Sequence, residues 1–480
     1  MPGELHIQLA PQVFILDRNE LGPFLAPPAV GLPLGEPLAD SLADVDAVGE
    51  QLDAAAWRRR RGARRAQGRD GTRPADHRQR PADPDIAGRA ADRRVQRVDV
   101  SRGARARQAA VRSRRGAARL PVVSRQEWRD GRAAAWGDGI DMDHADAYGH
   151  GAVECAKRLE REGIDWFGVA LPEEGVELRE AGIRKLILCL GSFWGGQEHL
   201  LLNYDITPTV FRLEIAEKFN RAAKELGVVA DVHIKVDTGM NRIGVRWDEL
   251  KDFADGLKEF TNLHIDGIMT HFASADSDAD FTNIQIKRFN DSLELLHEKG
   301  FRPSFKDLAN SPASVAHPQS RGNMVRIGGI LYGLGDDVLP KNIEKPELKP
   351  VLTLHSKIAF LKRVPKGETL GYSRTFETCR DSIIATIPIG YQDGYMRQLS
   401  NKSRVIVNGV YANVVGRISM DWTLVDITEV PNVKVGDEVI LIGEQNGLVI
   451  TTEELAGLVE TISYEVTCGI HRRVPRIFKG

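Results

Sequence analysis

No lysine occurs before Lys157, although the 480-residue chain carries 65 lysines and arginines in all. Arginine takes its place in runs such as Trp57-Arg58-Arg59-Arg60-Arg61 and Arg112-Ser113-Arg114-Arg115. Across residues 1–143 the apolar positions also keep no sustained period of two or of 3.6, so this segment is expected to be largely irregular. Three readings fit it: a basic arm for nucleic acid, a solvated linker, or a GC-rich coding stretch translated in the wrong frame, which yields Arg, Ala, Gly and Pro without hydrophobic patterning. The third accounts best for arginine without lysine and for the prolines and tryptophans between the arginines.

Cysteine is scarce as well. The four present, Cys155, Cys189, Cys379 and Cys468, form no Cys-x-x-Cys pair and join no histidine cluster at metal-ligand spacing. That argues against a disulfide framework and a metal site, and it suits a reducing cytoplasm. No stretch approaches ~18 consecutive apolar residues, and the opening Met-Pro-Gly-Glu-Leu is not a basic start followed by a long apolar run, so neither a membrane span nor export is expected. Net charge is small too: −2 speaks against nucleic acid or a membrane surface as partner of the whole chain.

What the chain does have is globular composition, 42% hydrophobic and 28% charged, and length for two or three domains. The border between its unlike parts is His144-Ala145-Asp146-Ala147-Tyr148-Gly149-His150-Gly151. Gly149 and Gly151 allow close backbone approach to a ligand, and the helix expected from Val153 would aim its N-terminus there, a place for a phosphate. Alone, such a turn is most often a plain strand-to-helix connection. Beyond it helices over 153–161, 173–181, 213–226 and 284–299 alternate with strands over 166–170, 186–190, 229–236, 265–270 and 304–308. Regular units on short loops predict right-handed βαβ crossovers, and their number predicts an α/β fold with a (β/α)8 TIM-type barrel that binds ligands at the C-terminal ends of its strands. After about Pro350 short strands separated by turns predict a mainly β C-terminal domain, with one helix over 452–462 opened by Thr451 and Glu454 in capping-box spacing. The expected division is an irregular segment over 1–143, a barrel lacking its normal first strand over 144–349, and a β domain over 350–480.

The polar residues cluster where those strands end. In order come Lys235-Val236-Asp237-Thr238-Gly239-Met240-Asn241-Arg242-Ile243-Gly244, Thr270-His271-Phe272-Ala273-Ser274-Ala275-Asp276, Ala309-Asn310-Ser311 and Val325-Arg326-Ile327-Gly328-Gly329-Ile330-Leu331-Tyr332-Gly333. Gly371-Tyr372-Ser373-Arg374, Pro388-Ile389-Gly390-Tyr391, Gly416-Arg417-Ile418-Ser419-Met420-Asp421 and Arg473-Val474-Pro475-Arg476 follow. Any one of these is weak; together, in one order and at compatible spacing, they closely resemble the alanine racemases from Ala145 to the end.

That family uses pyridoxal 5'-phosphate to acidify the α-proton of alanine, which one base removes and another returns on the opposite face. The resemblance implies racemisation of L- and D-alanine for peptidoglycan precursors, by a homodimer with shared active sites. Tyr372 matches the second base, which enters from the partner subunit, and His271 the residue hydrogen-bonded to it. A phenol has an ordinary pKa of about 10, so cationic Arg326 beyond His271 would favour its ionised form. Arg326 itself matches the arginine facing the pyridine nitrogen; because it keeps its protons, the ring stays a weak electron sink, which favours racemisation over side reactions. Tyr148, Ser311, Gly328 and Gly329 match phosphate-binding positions. Arg242 matches the arginine that holds the substrate carboxylate, and Met420 the residue whose backbone amide helps from the partner chain. Lys235 matches a lysine carbamylated in some members; unmodified, it would face Arg242 as a like charge. Tyr391 is a site-lining aromatic or a core residue with equal weight. Arg472 stands where some members place a phosphate-binding tyrosine, so that role is not assigned to it.

One departure matters more than the rest. In the family, the residue immediately before Ala-Asp-Ala-Tyr-Gly-His-Gly is a lysine that attaches covalently to the cofactor and serves as first base; here it is His144. An imidazole has no primary amine and forms no stable imine. The chain as it stands is therefore expected to be severely impaired. The resemblance to the family also stops at this residue, as a frame error upstream would make it. Two other classes remain: a racemase or decarboxylase of related barrel type acting on another amino acid, and a non-catalytic cofactor-binding protein, disfavoured because single-domain relatives of that kind lack the β domain that supplies Tyr372 and Met420.

Overall fold

Strands β1 (Gly139–Met142), β2 (Trp166–Val169), β3 (Leu186–Cys189), β4 (Thr207–Val210), β5 (Ala230–Asp237), β6 (Leu263–Met269), β7 (Phe305–Asp307) and β8 (Val325–Ile327) lie in one sheet in the order β8-β1-β2-β3-β4-β5-β6-β7. All these pairs are parallel, and Asp307 bridges Met324, just before β8, so the ring closes as the predicted barrel. The computed structural model describes residues 4–8, 139–142 and 144–479. Most of the arginine-rich segment, with its three competing readings, lies outside the described residues.

One expectation about that segment is corrected, and the two short stretches described in it are both strands. The barrel does not lack its first strand: β1 stands between β8 and β2, with Ile140 in register with Arg326 on one side and Trp166 on the other. Ladder pairing is a backbone property, so acidic Asp141 did not prevent it. Near the start of the chain, Glu4–Gln8 is a strand, antiparallel to Leu352–Lys357 and parallel to Arg476–Lys479. Its Leu5 and Ile7 are fully buried while Gln8 is exposed. That alternation spans too few residues to register in a scan of the long segment.

Alternation along β5 sends Val232, Ile234 and Val236 into the main core against the helices and His233, Lys235 and Asp237 the other way. Trp166, Leu188, Leu190, Met269 and Met324 pack together as a second cluster, with Tyr148 and Phe305 against it. Burying each such large side chain contributes roughly 1.5–3 kcal/mol. Helix Ala279–Glu298 begins a turn earlier than the sequence pattern predicts because the Asp278 carboxylate accepts from Phe281 N at 2.9 Å. Helix Glu198–Tyr204 and strand β4 were not anticipated; both are too short to show a period.

Beyond residue 350 the strands pair mostly antiparallel into the expected β domain. Thr451 caps its helix by accepting from Glu454 N at 3.0 Å, as the spacing predicts. That helix ends at Val459, however, and Glu460 turns at φ 61°, so the chain starts a second short helix, Ser463–Cys468. This second helix packs on the barrel.

Candidate active site

Directly after β1 the chain winds the wrong way. Ala145, Asp146, Ala147 and Tyr148 have φ of 55°, 56°, 54° and 54°, four consecutive left-handed residues without a glycine. Each costs about 1–2 kcal/mol, so the surroundings must over-determine the turn. They do. Ala145 N donates to Glu174 Oε1 at 2.9 Å, Ala152 N to Asp146 Oδ1 at 2.8 Å, and His150 Nδ1 to the Ala147 carbonyl at 2.9 Å. Burial pushes the His150 imidazole down to about 4, which keeps it neutral in that role.

The flanking glycines do not serve a ligand. A Cβ on Gly149, at φ 82°, would fall 2.1 Å from the Thr467 carbonyl oxygen, and one on Gly151 would fall 2.8 Å from the Phe478 ring. They let the turn dock against the β domain, and Asp146 already occupies the first amide of the helix expected to receive a phosphate. What the turn presents instead is the Tyr148 ring. It packs edge-on against Tyr464 with centroids 4.9 Å apart. The Tyr464 hydroxyl hydrogen-bonds Ser311, and burial holds its phenol above the ordinary value. Ser311 Oγ accepts from Gly328 N at 2.9 Å. A side chain at Gly328 or Gly329 would force these rings to shift: a Cβ would lie 2.3 Å from Tyr148 Oη and 2.0 Å from Tyr464 Cε1. Tyr148, Ser311, Gly328 and Gly329 thus come together as predicted, joined by Tyr464.

Two residues back along the chain from Gly328, roughly 7 Å at strand rise, lies Arg326, 2% exposed. Its Nη1 pairs with Asp307 Oδ1, while Nη2 donates to the carbonyls of Thr270 at 2.8 Å and Leu308 at 3.3 Å and lies 3.4 Å from His271 Nδ1. His271 and Arg326 therefore meet as expected. Lys235 Nζ donates to the Leu190 carbonyl at 2.8 Å inside the barrel. Burial, then the charges of Arg326 and Arg242, push that amine down to about 7, with Asp307 opposing. Arg242 is exposed on the loop after β5, whose start is wound by Asp237 Oδ1 accepting from Gly239 N at 2.9 Å and Asn241 N at 3.0 Å.

The β-domain candidates stand apart from these in a single chain. Tyr372 is 69% exposed and Met420 51% exposed. Tyr372 sits between Gly371 at φ 71° and Ser373 at φ 60°. Met420 and Tyr391 share one loop pair: Tyr391 N donates to the Ser419 carbonyl and Gln392 N to the Met420 carbonyl, each at 3.0 Å. Tyr391 is 41% exposed, which decides against a core role in the lone chain.

A model of the alanine racemase N-terminal domain matches residues 144–336, and one of the alanine racemase C-terminal domain matches 351–478. The chain belongs to the alanine racemase family. An alanine racemase of Halothermothrix orenii is 47% identical over 338 residues, which is 70% of this chain and 88% of that protein. Among solved structures, the alanine racemase of Bacillus anthracis with bound L-Ala-P has a TM-score of 0.67 at 36% identity, covering 72% of this chain and 88% of that one. The alanine racemase of Bartonella henselae with covalently bound pyridoxal phosphate gives 0.64 at 29% identity, covering 72% and 93%.

Set against the cofactor of this racemase family, the residues fit unequally. Three hydroxyls and a side-chain-free backbone suit a phosphate, and the buried guanidinium beside them suits a pyridine nitrogen. The chemistry of the donor set fails at one point: residue 144 brings no primary amine. Three contributors escaped the sequence reading. Tyr464 joins Tyr148 and Ser311; its signal was an aromatic in a Ser-Tyr-Glu run just after a helix end. Asp307 follows Lys306 in the short strand Phe305–Asp307, and that charged neighbour hid the burial of its carboxylate. Fully buried Gln285 donates to Thr238 Oγ1 and the His271 carbonyl, both at 3.1 Å, and accepts from Ala273 N at 2.9 Å, tying the loops after β5 and β6; a glutamine in a helix carries no local signal for that.

Proposed function

We propose that this chain has the machinery of an alanine racemase interconverting L- and D-alanine for peptidoglycan precursors, in a cytoplasmic homodimer whose sites draw on both subunits, with catalysis crippled at position 144. The observation that carries the reading is the hydroxyl cradle of Tyr148, Ser311 and Tyr464 set beside the buried guanidinium of Arg326. Bound pyridoxal phosphate would supply the electron sink that acidifies the substrate's α-proton. Tyr148, Ser311 and Tyr464 bind the phosphate. Arg326 faces the ring nitrogen and, keeping its own protons, leaves that nitrogen unprotonated. Arg242 orients the substrate carboxylate with the Met420 amide of a second copy. Tyr372 of that copy holds or returns the α-proton on one face, with His271 as its hydrogen-bond partner. The exposure of Tyr372 and Met420 supports completion of the site by a second copy, since a working base is not left in bulk water. On the opposite face the residue before the turn is histidine, so the usual tether and base are both missing.

Titrating pyridoxal phosphate into the purified chain is expected to give a saturable absorbance change, with affinity weakened about tenfold or more by Ser311→Ala or Tyr464→Phe, as loss of a hydrogen bond to a charged group implies. Equal affinity in both variants would remove the phosphate site from this cradle.

Lys235 makes a separate case. With its amine pushed down to about 7, a large neutral fraction is present at neutral pH, and a neutral amine takes up carbon dioxide to become a carbamate beside Arg242. In 13C-bicarbonate the chain is expected to show a carbamate carbon signal that grows from about pH 6 to 8 and is absent in Lys235→Arg. A signal that survives that substitution assigns the modification elsewhere.

A further inference from the structure

We propose that Asp307 is a positioning residue: it fixes the Arg326 guanidinium, and through it the acceptor nitrogen of His271, at the ring end of the cofactor site. The proposal rests on the cofactor reading above. Asp307 ends β7 with no exposed surface, in register with Met269 of β6, which is itself in register with Lys235 of β5. Its bridge to Met324 makes it the residue at which the barrel closes.

Of the contacts that hold Arg326, those on Nη2 go to backbone carbonyls of Thr270 and Leu308 and to His271 Nδ1. Such acceptors satisfy a donor without choosing its charge. Nη1 alone meets a carboxylate, Asp307 Oδ1, so that one pair sets how the fork is turned. An Arg326 N–H directed at His271 Nδ1 also requires that nitrogen to be the acceptor, which leaves the ring proton on Nε2 for the outer partner.

The other oxygen, Asp307 Oδ2, is buried with no hydrogen-bond partner among the described residues. A carboxylate kept for stability alone would be fully paired, or replaced at little cost by an apolar side chain of similar volume. Asp307 is neither, and it is the carboxylate within electrostatic reach of Lys235, where Arg326 and Arg242 add only positive charge.

Pyridoxamine 5'-phosphate is the probe, because it has no aldehyde and needs no amine at residue 144. Asp307→Asn is expected to weaken its binding about tenfold, equivalent to about 1.4 kcal/mol, and to shift the absorbance and fluorescence of the bound ring. Asp307→Glu should restore part of both, whereas Ser311→Ala should weaken binding without shifting the spectrum. Should Asp307→Asn fail to fold, Asp307→Glu is read instead: the longer side chain displaces the guanidinium, so a shifted ring spectrum supports the proposal and an unchanged one overturns it. A chain that binds the probe but is indistinguishable from Asp307→Asn in affinity and spectrum overturns the positioning role alone. A chain that does not bind the probe overturns the cofactor reading and this inference with it.

Discussion

Borohydride added to this chain saturated with pyridoxal phosphate is expected to leave the protein unlabelled, while His144→Lys becomes labelled at residue 144 and gains racemase turnover. Reduction locks an imine into a stable secondary amine, so it reports the tether directly, without relying on activity. The position is sound for the repair: residue 144 opens the left-handed turn at the C-terminal end of β1, and the strain of that turn is met by Glu174, Asp146 and His150, none of which is altered. Restoring a positioned base typically returns about 10²–10⁴-fold in rate, and the tether adds to that by fixing the cofactor for both faces. The most informative contrary result would be a labelled peptide from the unaltered chain. If mapping placed the label on Lys235, the one barrel amine held near neutrality, the assignment of the missing tether to residue 144 would be wrong.

The barrel was legible because its outer helices and inner strands repeat a period over long runs, as in Leu213–Glu225 and Ala230–Asp237. Short elements outside those runs were not: Glu198–Tyr204 and Thr207–Val210 acquire their meaning from the barrel packed around them. Likewise, the need for small residues at Gly149 and Gly151 could be read, but what approaches them could not. A ligand and the Thr467 backbone impose the same demand on a glycine. Arg326 and Lys235 stood out through the family resemblance, and each proves to be buried with a hydrogen-bond partner. The identity of those partners is tertiary information: Asp307 is brought to Arg326 by barrel closure, and Tyr464 reaches Ser311 because Glu460 turns the chain. Tyr372 and Met420 go one level further, since their partners belong to a second copy in the function proposed here.

Arg326→Leu is expected to lower stability by about 3–5 kcal/mol at neutral pH, the cost of leaving a buried charge uncompensated. The loss should depend on pH in a defined direction. Burial already holds the Asp307 carboxyl above the usual carboxylate range, with Arg326 pulling it back down. Without the guanidinium it rises further, so the folded state keeps a proton that the unfolded state releases. Both states are protonated below about pH 3.9, the unfolded value, so little of this loss is felt there. As pH climbs from that point to the new folded value the unfolded state is progressively favoured, and the destabilisation grows until the buried carboxyl ionises. Leucine at both positions removes the charge and the dependence together, and should recover most of the lost stability. Thermal melts of the parent chain, Arg326→Leu and the double variant across this range read all three effects at once. A single variant that melts with the parent at neutral pH would mean that water reaches Asp307 and compensates it, and the guanidinium would then owe its place to the Thr270 and Leu308 carbonyls instead.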